Sequence, residues 1–314
     1  MVDNIILTGA TGFLGRRLAT LLHSKLDVGL TAVVRRRTEI PAAQIVEVQS
    51  LYSHTDWSTV LINHQVVIHA AARAHIMKDE VEDPLAEYRR VNVDGTLNLA
   101  RQSAAAGVQR FIFISSIGVN GNINSNLFTA DSVANPSGLY AQSKWEAEQG
   151  LWEIQRETGM ELVIIRPPLV YGPNAPGNFG SLMHLIDRGI PLPLGSVKNQ
   201  RTLVALDNLV DLIITCIDHP KAANQVFLAG DGQDVSTTEL LRGVARAMGK
   251  PSRLIPVPAS LLMLGATLMG KKAIAQRLLG SLQVDISKAR DLLGWEPPIS
   301  VEEGLRRCFQ TQDK

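Results

Sequence analysis

The sequence predicts a doubly wound α/β fold, a parallel sheet covered by helices on both faces, with a smaller and mostly helical lobe beside it. Three observations predict it. Short runs of Val, Ile and Leu alternate with longer helical patterns through the first half of the chain. Gly9, Gly12 and Gly15 follow the first of those runs. After Arg166 prolines and glycines crowd in, and the alternation ends.

The strands expected are Asn4–Thr8, Leu30–Val34, Ile45–Val48, Val66–Ala70, Phe111–Ser115 and Leu162–Arg166, with Gln225–Ala229 returning later to the sheet. They alternate little between apolar and polar, as strands buried on both faces do. Between them, Leu14, Leu18, Leu21 and Leu22 share one helical face, and Val91, Leu97 and Leu99 lie in another helical pattern. Loops at Pro167-Pro168, Gly172-Pro173, Pro176-Gly177 and Pro191–Gly195 mark departure from the sheet. A helix capped by Asp207 is expected next, running through Leu209, Val210, Ile213 and Ile214. Ser236 with Glu239, and Ser300 with Glu303, have capping-box spacing. The expected division is a dinucleotide-binding part over residues 1–170 and 203–230, and a substrate lobe over 171–202 and 231–314.

Composition excludes several classes. The chain has 314 residues, 45% of them apolar, and a formal net charge of +1, so a large core forms easily and no basic stripe points to nucleic acid. Cys216 and Cys308 are far apart and lack metal-ligand spacing, which suggests idle thiols in a reducing cytoplasm and no metal site. The first strand is expected to begin at Asn4, and no targeting segment is expected ahead of it. The longest apolar segment, Ala259 to Gly270, is too short to span a bilayer. Within it Leu261 to Met269, followed by Lys271-Lys272, is expected as a buried lobe helix, with contact to a membrane surface as the alternative.

Thr8 to Gly15 has the form of a phosphate-binding turn between strand and helix. Gly9 makes the tight turn, Gly12 admits a pyrophosphate to the backbone, and Gly15 allows close packing. Free N–H groups and the dipole at the helix start then favour an anion. Thr11, Phe13 and Leu14 belong to the same expected site. The second strand ends in Arg35-Arg36-Arg37, where NAD-binding folds place an acid for the ribose hydroxyls; arginine suits a 2′-phosphate instead. NADP(H) is therefore the expected cofactor, with NAD(H) the alternative. Small side chains at Ala70, Ala71 and Ala72 leave room beneath the dinucleotide.

Tyr140 and Lys144 are four apart and share a helix face. A free phenol has a pKa of about 10, and a nearby ammonium would lower it toward a useful value. Ser116, at the end of the strand Phe111–Ser115, would hold a substrate oxygen in line with the phenol.

With these motifs assembled, the chain resembles the extended short-chain dehydrogenase/reductase family, which includes nucleotide-sugar epimerases, dehydratases and reductases. The resemblance covers almost the whole length. It rests on the glycine turn, His69-x-Ala71-Ala72, Asn92 in Val91–Thr96, Ser115-Ser116, Tyr140-x-x-x-Lys144 and Arg166-Pro167-x-x-Val170-Tyr171-Gly172-Pro173. It implies that Ser116, Tyr140 and Lys144 are catalytic, that Lys144 also contacts the nicotinamide ribose, and that Asn92, Ser115 and Pro167 adjoin the cofactor. The chain departs from the family pattern at Asn120, where a tyrosine is usual, and at Gln49-Ser50-Leu51, where many members carry an adenine-contacting aspartate.

In the lobe, Asn178 and Arg201 resemble positions that hold a nucleotide-sugar diphosphate, and His75 is a further candidate to reach the sugar. Pro167–Pro173, Gly177–Phe179 and Gly280–Asp285 resemble bacterial reductases of UDP-4-keto-6-deoxy-N-acetylhexosamines, which serve surface-polysaccharide synthesis. The implied reaction is reduction of the 4-keto group by NADPH. The alternatives are a UDP-sugar 4-epimerase with tightly held NAD, a reductase of another ketone, and an NADPH-binding redox sensor without turnover. Family analogy further implies a homodimer, built by packing the helix around Asn92–Ala106 with that of Tyr140 into a four-helix bundle.

Overall fold

The computed structural model describes residues 2–25, 28–74 and 82–310. Its elements, in chain order, are β1 (Asn4–Thr8), α1 (Phe13–Lys25), β2 (Gly29–Val34), β3 (Gln44–Glu47), β4 (Val66–His69), α2 (Pro84–Arg89), α3 (Gly95–Ala105), β5 (Arg110–Ile114), α4 (Leu139–Thr158) and β6 (Glu161–Arg166). There follow β7 (Leu169–Tyr171), α5 (Gly177–Asp187), β8 (Arg201–Ala205), α6 (Leu206–Asp218), β9 (Gln225–Leu228), β10 (Asp234–Val235), α7 (Thr237–Ala247), α8 (Ala259–Leu268), α9 (Lys272–Leu279), α10 (Ser287–Leu293) and α11 (Val301–Arg307).

Among the described residues, seven parallel strands form the main sheet in the order β3-β2-β1-β4-β5-β6-β9. All seven are the strands expected from sequence, within a residue or so at each end. Their lack of alternation has its physical reason here. Ile5 and Leu7 of β1 enter one core and Ile6 the other, just as Ile112 and Phe111 of β5 part to opposite faces. Strand order reverses between β1 and β4, and Thr8 stands beside His69 in register. Open α/β sheets bind ligands at such a reversal, beyond the carboxyl ends of the strands.

A second, small sheet lies beside the first in the order β10-β8-β7. Its strands hold two to five residues each, and the two shortest, β10 and β7, are too short to show a pattern in the sequence. The Pro/Gly-rich run also holds α5, which starts at Gly177 inside what reads as a loop.

Two of the expected caps differ. Asp207 does not cap α6, which starts at Leu206 behind Ala205. Its carboxylate instead takes Arg17 of α1 at 2.7 Å and Arg307 of α11 at 2.6 Å, fastening the last helix to the first. Ser300 does accept from the Glu303 N–H, but the Glu303 carboxylate turns to Arg306 and Arg307, so only half the box forms. Ser236 and Glu239 make the full box.

The largest departure is α8. Expected as a buried helix, it has no buried residue. No helix among the described residues is long and apolar enough to cross a membrane.

Candidate active site

The glycine turn lies where the strand order reverses. Gly9 has φ +73°, and a Cβ there would sit 2.7 Å from the Ala71 nitrogen; a Cβ on Gly15 would sit 2.1 Å from the Gly9 carbonyl oxygen. Both positions are closed to any side chain. Gly12 differs: it is exposed, and a Cβ would meet only the Gly9 carbonyl oxygen at 3.2 Å. The first turn of α1 carries no acidic side chain. The cradle therefore fits a dinucleotide pyrophosphate, with Gly12, Phe13 and Leu14 at the helix start. Thr11 is exposed, and Phe13 packs against both the main core and the lobe core.

Arg35 and Arg36 are exposed directly beyond β2. Ala70 and Ala71 run on from β4, with the Ala70 N–H on the Thr8 carbonyl and the Ala71 N–H on the Thr8 hydroxyl. Buried Asn92 lies in a single π-helical turn, Arg90–Asp94, an irregularity that recurs at functional sites. It accepts from the Arg73 N–H, donates to the Arg73 carbonyl, and reaches Ser143 of α4 at 3.0 Å. It thus holds the segment after β4 against the helix that carries Tyr140 and Lys144.

Ser116 follows β5 and caps a single turn, Ile117–Val119, by accepting from the Gly118 N–H at 3.1 Å. A Cβ on Gly118 would lie 3.1 Å from that of Ala141, so this turn and the start of α4 are in contact. Tyr140, Lys144 and Ser116 therefore belong to one neighbourhood, and Pro167 joins it by accepting from the Ile117 N–H. Tyr140 is half-buried, edge-on to buried Tyr88 of α2 at 6.3 Å.

The electrostatics differ from the sequence expectation. Lys144 does not bond to the phenol; its Nζ donates to the Ile114 carbonyl at 2.8 Å and lies 4.3 Å over the Phe113 ring. Burial, and secondarily Tyr88, push the Tyr140 hydroxyl up to about 12 rather than down. Burial pulls Lys144 down to about 7, opposed by Glu148. His69 falls to about 3 through burial and the Lys144 charge, and its ring bridges the hydroxyls of Thr8 and Thr96.

Behind these residues lies a buried polar network that sequence reasoning missed. Glu148 takes Arg166 through two parallel bonds and accepts from the Ser115 hydroxyl, while Arg166 also donates to Asn120 at 3.1 Å. Asn120, one of the departures from the family pattern, is thereby part of this network. Glu148 had a signal, standing four residues after Lys144 on the same helix face. Tyr88 had none, because it arrives from a distant helix.

The proposed diphosphate residues are less fully placed. Arg201 opens β8 and donates through Nη1 to the carbonyls of Arg277 and Gly280. Asn178 stands in the first turn of α5, with its side chain outside the described residues, as is all of His75. A cavity of about 680 Å³, lined by Asn120–Phe128, Ser132, Val133 and Asn135–Ser137, opens next to the turn that Ser116 caps, where the Ser137 N–H donates to the Gly118 carbonyl.

The model of the NAD-dependent epimerase/dehydratase family matches residues 5–230, from the glycine turn to beyond β9. The chain belongs to this family. It is 48% identical to a UDP-glucose 4-epimerase of Vibrio cholerae over 99% of this chain and 95% of that one. It is 28% identical to the N-acetyl-α-D-glucosaminyl-diphospho-ditrans,octacis-undecaprenol 4-epimerase of Escherichia coli O157:H7, over 99% and 95%. Among solved structures, the UDP-glucuronic acid 4-epimerase of Bacillus cereus in complex with NAD shares the fold at a TM-score of 0.78, with 21% identity over 97% of this chain and 96% of that one. The matched residues 5–230 include the glycine turn, Ser116, Tyr140 and Lys144.

Proposed function

We propose that this epimerase/dehydratase-family enzyme reduces the 4-keto group of a UDP-4-keto-6-deoxy-N-acetylhexosamine with NADPH, giving UDP-N-acetylquinovosamine or UDP-N-acetylfucosamine for surface polysaccharide. One observation carries the choice: Arg35 and Arg36 stand exposed where an NAD site presents a carboxylate. Two guanidinium groups there suit a 2′-phosphate.

When bound, the nicotinamide cofactor supplies the hydride. Tyr140, with its hydroxyl near 12, is protonated at neutral pH and gives its proton to the carbonyl oxygen. Ser116, its oxygen already accepting from Gly118, is free to donate its O–H to that same oxygen. Lys144, drawn down to about 7 by burial and held on the Ile114 carbonyl, can hold or release a proton at working pH beneath the phenol. Asn178 and Arg201 would take the diphosphate, and the 680 Å³ cavity is of a size to admit the sugar. In this reading residues 1–170 and 203–230 serve the cofactor and the remainder the sugar nucleotide. The enzyme works in the cytoplasm as a homodimer through α3 and α4, and a sedimentation mass of one chain would refute the dimer.

The 48% identical relative favours a second reading, 4-epimerisation with retained NAD. One assay separates the two. Loss of NADPH absorbance with the 4-keto substrate, absent with Tyr140→Phe and slow with NADH, supports the reductase. No turnover, together with NAD released on denaturation and interconversion of two UDP-hexosamines, overturns it in favour of the epimerase.

A further inference from the structure

Every residue of α8 is at least partly open to solvent, although the helix reads Ala-Ser-Leu-Leu-Met-Leu-Gly-Ala-Thr-Leu. Leu262 turns inward, and with Leu278 and Leu279 of α9 it packs against the lobe core. Leu261, Leu264 and Leu268 recur at helical spacing on the other side, where Leu268 is 81% exposed. Met269, just beyond α8, and Ile274 of α9 are exposed as well. A gathering of exposed large apolar side chains on one hairpin marks an interaction face.

The charge around it is one-sided. Residues 240–284 contain seven Lys and Arg and no Asp or Glu, so with the whole chain at +1 the other 269 residues carry −6. Lys250 is neutralised by Asp187 at 2.5 Å, but among the described residues Lys271, Lys272 and Arg277 have no carboxylate partner. Exposed Lys271 closes the turn after α8 and exposed Lys272 opens α9, three and four residues after Leu268.

We propose that the α8–α9 hairpin docks on an anionic lipid bilayer, its leucines and Met269 entering the headgroup boundary while Lys271, Lys272 and Arg277 meet the lipid phosphates. Exposed hydrocarbon followed by unpaired cations combines the two attractions that bind a peripheral segment to a bilayer, apolar burial and charge on anionic lipid. A second copy of the chain is disfavoured, because symmetric pairing through this face would set the same unpaired cations against one another. The hairpin also borders the candidate site. Ile123 of the cavity-lining loop packs against Gly280 at the end of α9, and Arg201 holds the Arg277 and Gly280 carbonyls. Docking would therefore bring the cavity to the membrane surface, whichever sugar it takes.

Flotation of the full chain with vesicles tests this. Wild type should float with phosphatidylcholine containing roughly a third phosphatidylglycerol and remain below with phosphatidylcholine alone. Lys271→Glu with Lys272→Glu should weaken binding at least about fivefold per lysine, as should added salt. Leu264→Ser with Leu268→Ser should abolish flotation while the circular dichroism spectrum and melting midpoint stay at wild-type values. A Leu268→Trp variant should shift its added emission to the blue only with anionic vesicles. Wild type that ignores anionic vesicles overturns the proposal, as does equal flotation with neutral vesicles. Concentration-dependent self-association that is lost in the double serine variant overturns it in favour of a copy interface.

Discussion

Beneath the candidate site, Lys144, Glu148, Arg166 and His69 are each at most 4% exposed, although all four are ionisable. On α8 the pattern is inverted: Leu268 is 81% exposed although nothing in its chemistry favours water. The first region accepts the cost of burying polar groups because each finds a partner: Glu148 with Arg166, Lys144 with a carbonyl, His69 with two hydroxyls. The second leaves apolar surface in water without any compensation inside the chain. Interior polarity is thus explained by the chain alone, whereas exterior apolarity calls for something outside it.

The buried side of this comparison breaks most visibly at the phenol. Tyr140→Phe should lower turnover about a thousandfold while leaving the melting midpoint near wild type, because the hydroxyl acts on substrate rather than on the core. Steady-state kinetics beside a thermal melt would read both. An unchanged rate would remove Tyr140 from the chemistry.

Next in size is the ion pair. Glu148→Ala leaves the Arg166 guanidinium buried and unpaired, and should cost about 3–5 kcal/mol in urea unfolding. A much smaller loss would mean that Arg166 finds water or another partner.

The lysine sharpens the comparison through pH. Lys144 is near 7 folded and 10.5 unfolded, so between those values the unfolded chain binds more protons. Unfolding free energy should therefore rise with pH from about 7 towards 10, the burial penalty being full below 7 and relieved above it. Lys144→Met should flatten that slope. Urea midpoints for both proteins across this window would show a flat wild-type curve if the lysine is solvated.

How far the sequence disclosed these regions follows from the same contrast. The main sheet was legible because strands such as Ile5-Ile6-Leu7 are apolar on both faces and meet partners on both. The glycine turn was legible because φ and steric closure at Gly9 and Gly15 admit little else. The short strand Leu169–Tyr171 was not, since three residues show no period. Nor was the role of Asp207, whose first-turn position suits a cap until Arg17 arrives from 190 positions away. In the candidate site, Tyr140 and Lys144 could be named as candidates from spacing, and Ser116 from its place at a strand end. The direction of the Tyr140 shift could not, because it depends on Lys144 turning to Ile114 and on Tyr88 arriving from α2. The openness of α8 was hidden for a related reason: apolar composition implies burial only where a second surface is available to cover it.

The smallest effect should come from the exposed side. Leu212→Ala, in the main core at 0% exposure, should cost about 2–5 kcal/mol through lost transfer energy and the cavity left behind. Leu268→Ser, a comparable loss of hydrocarbon, should stay within about 0.5 kcal/mol, since its side chain is in water both before and after unfolding. Parallel urea titrations of the two variants measure the difference directly. If Leu268→Ser proved as costly as Leu212→Ala, the α8 face would already be covered in solution, and the contrast between the two regions would collapse into a single rule of burial.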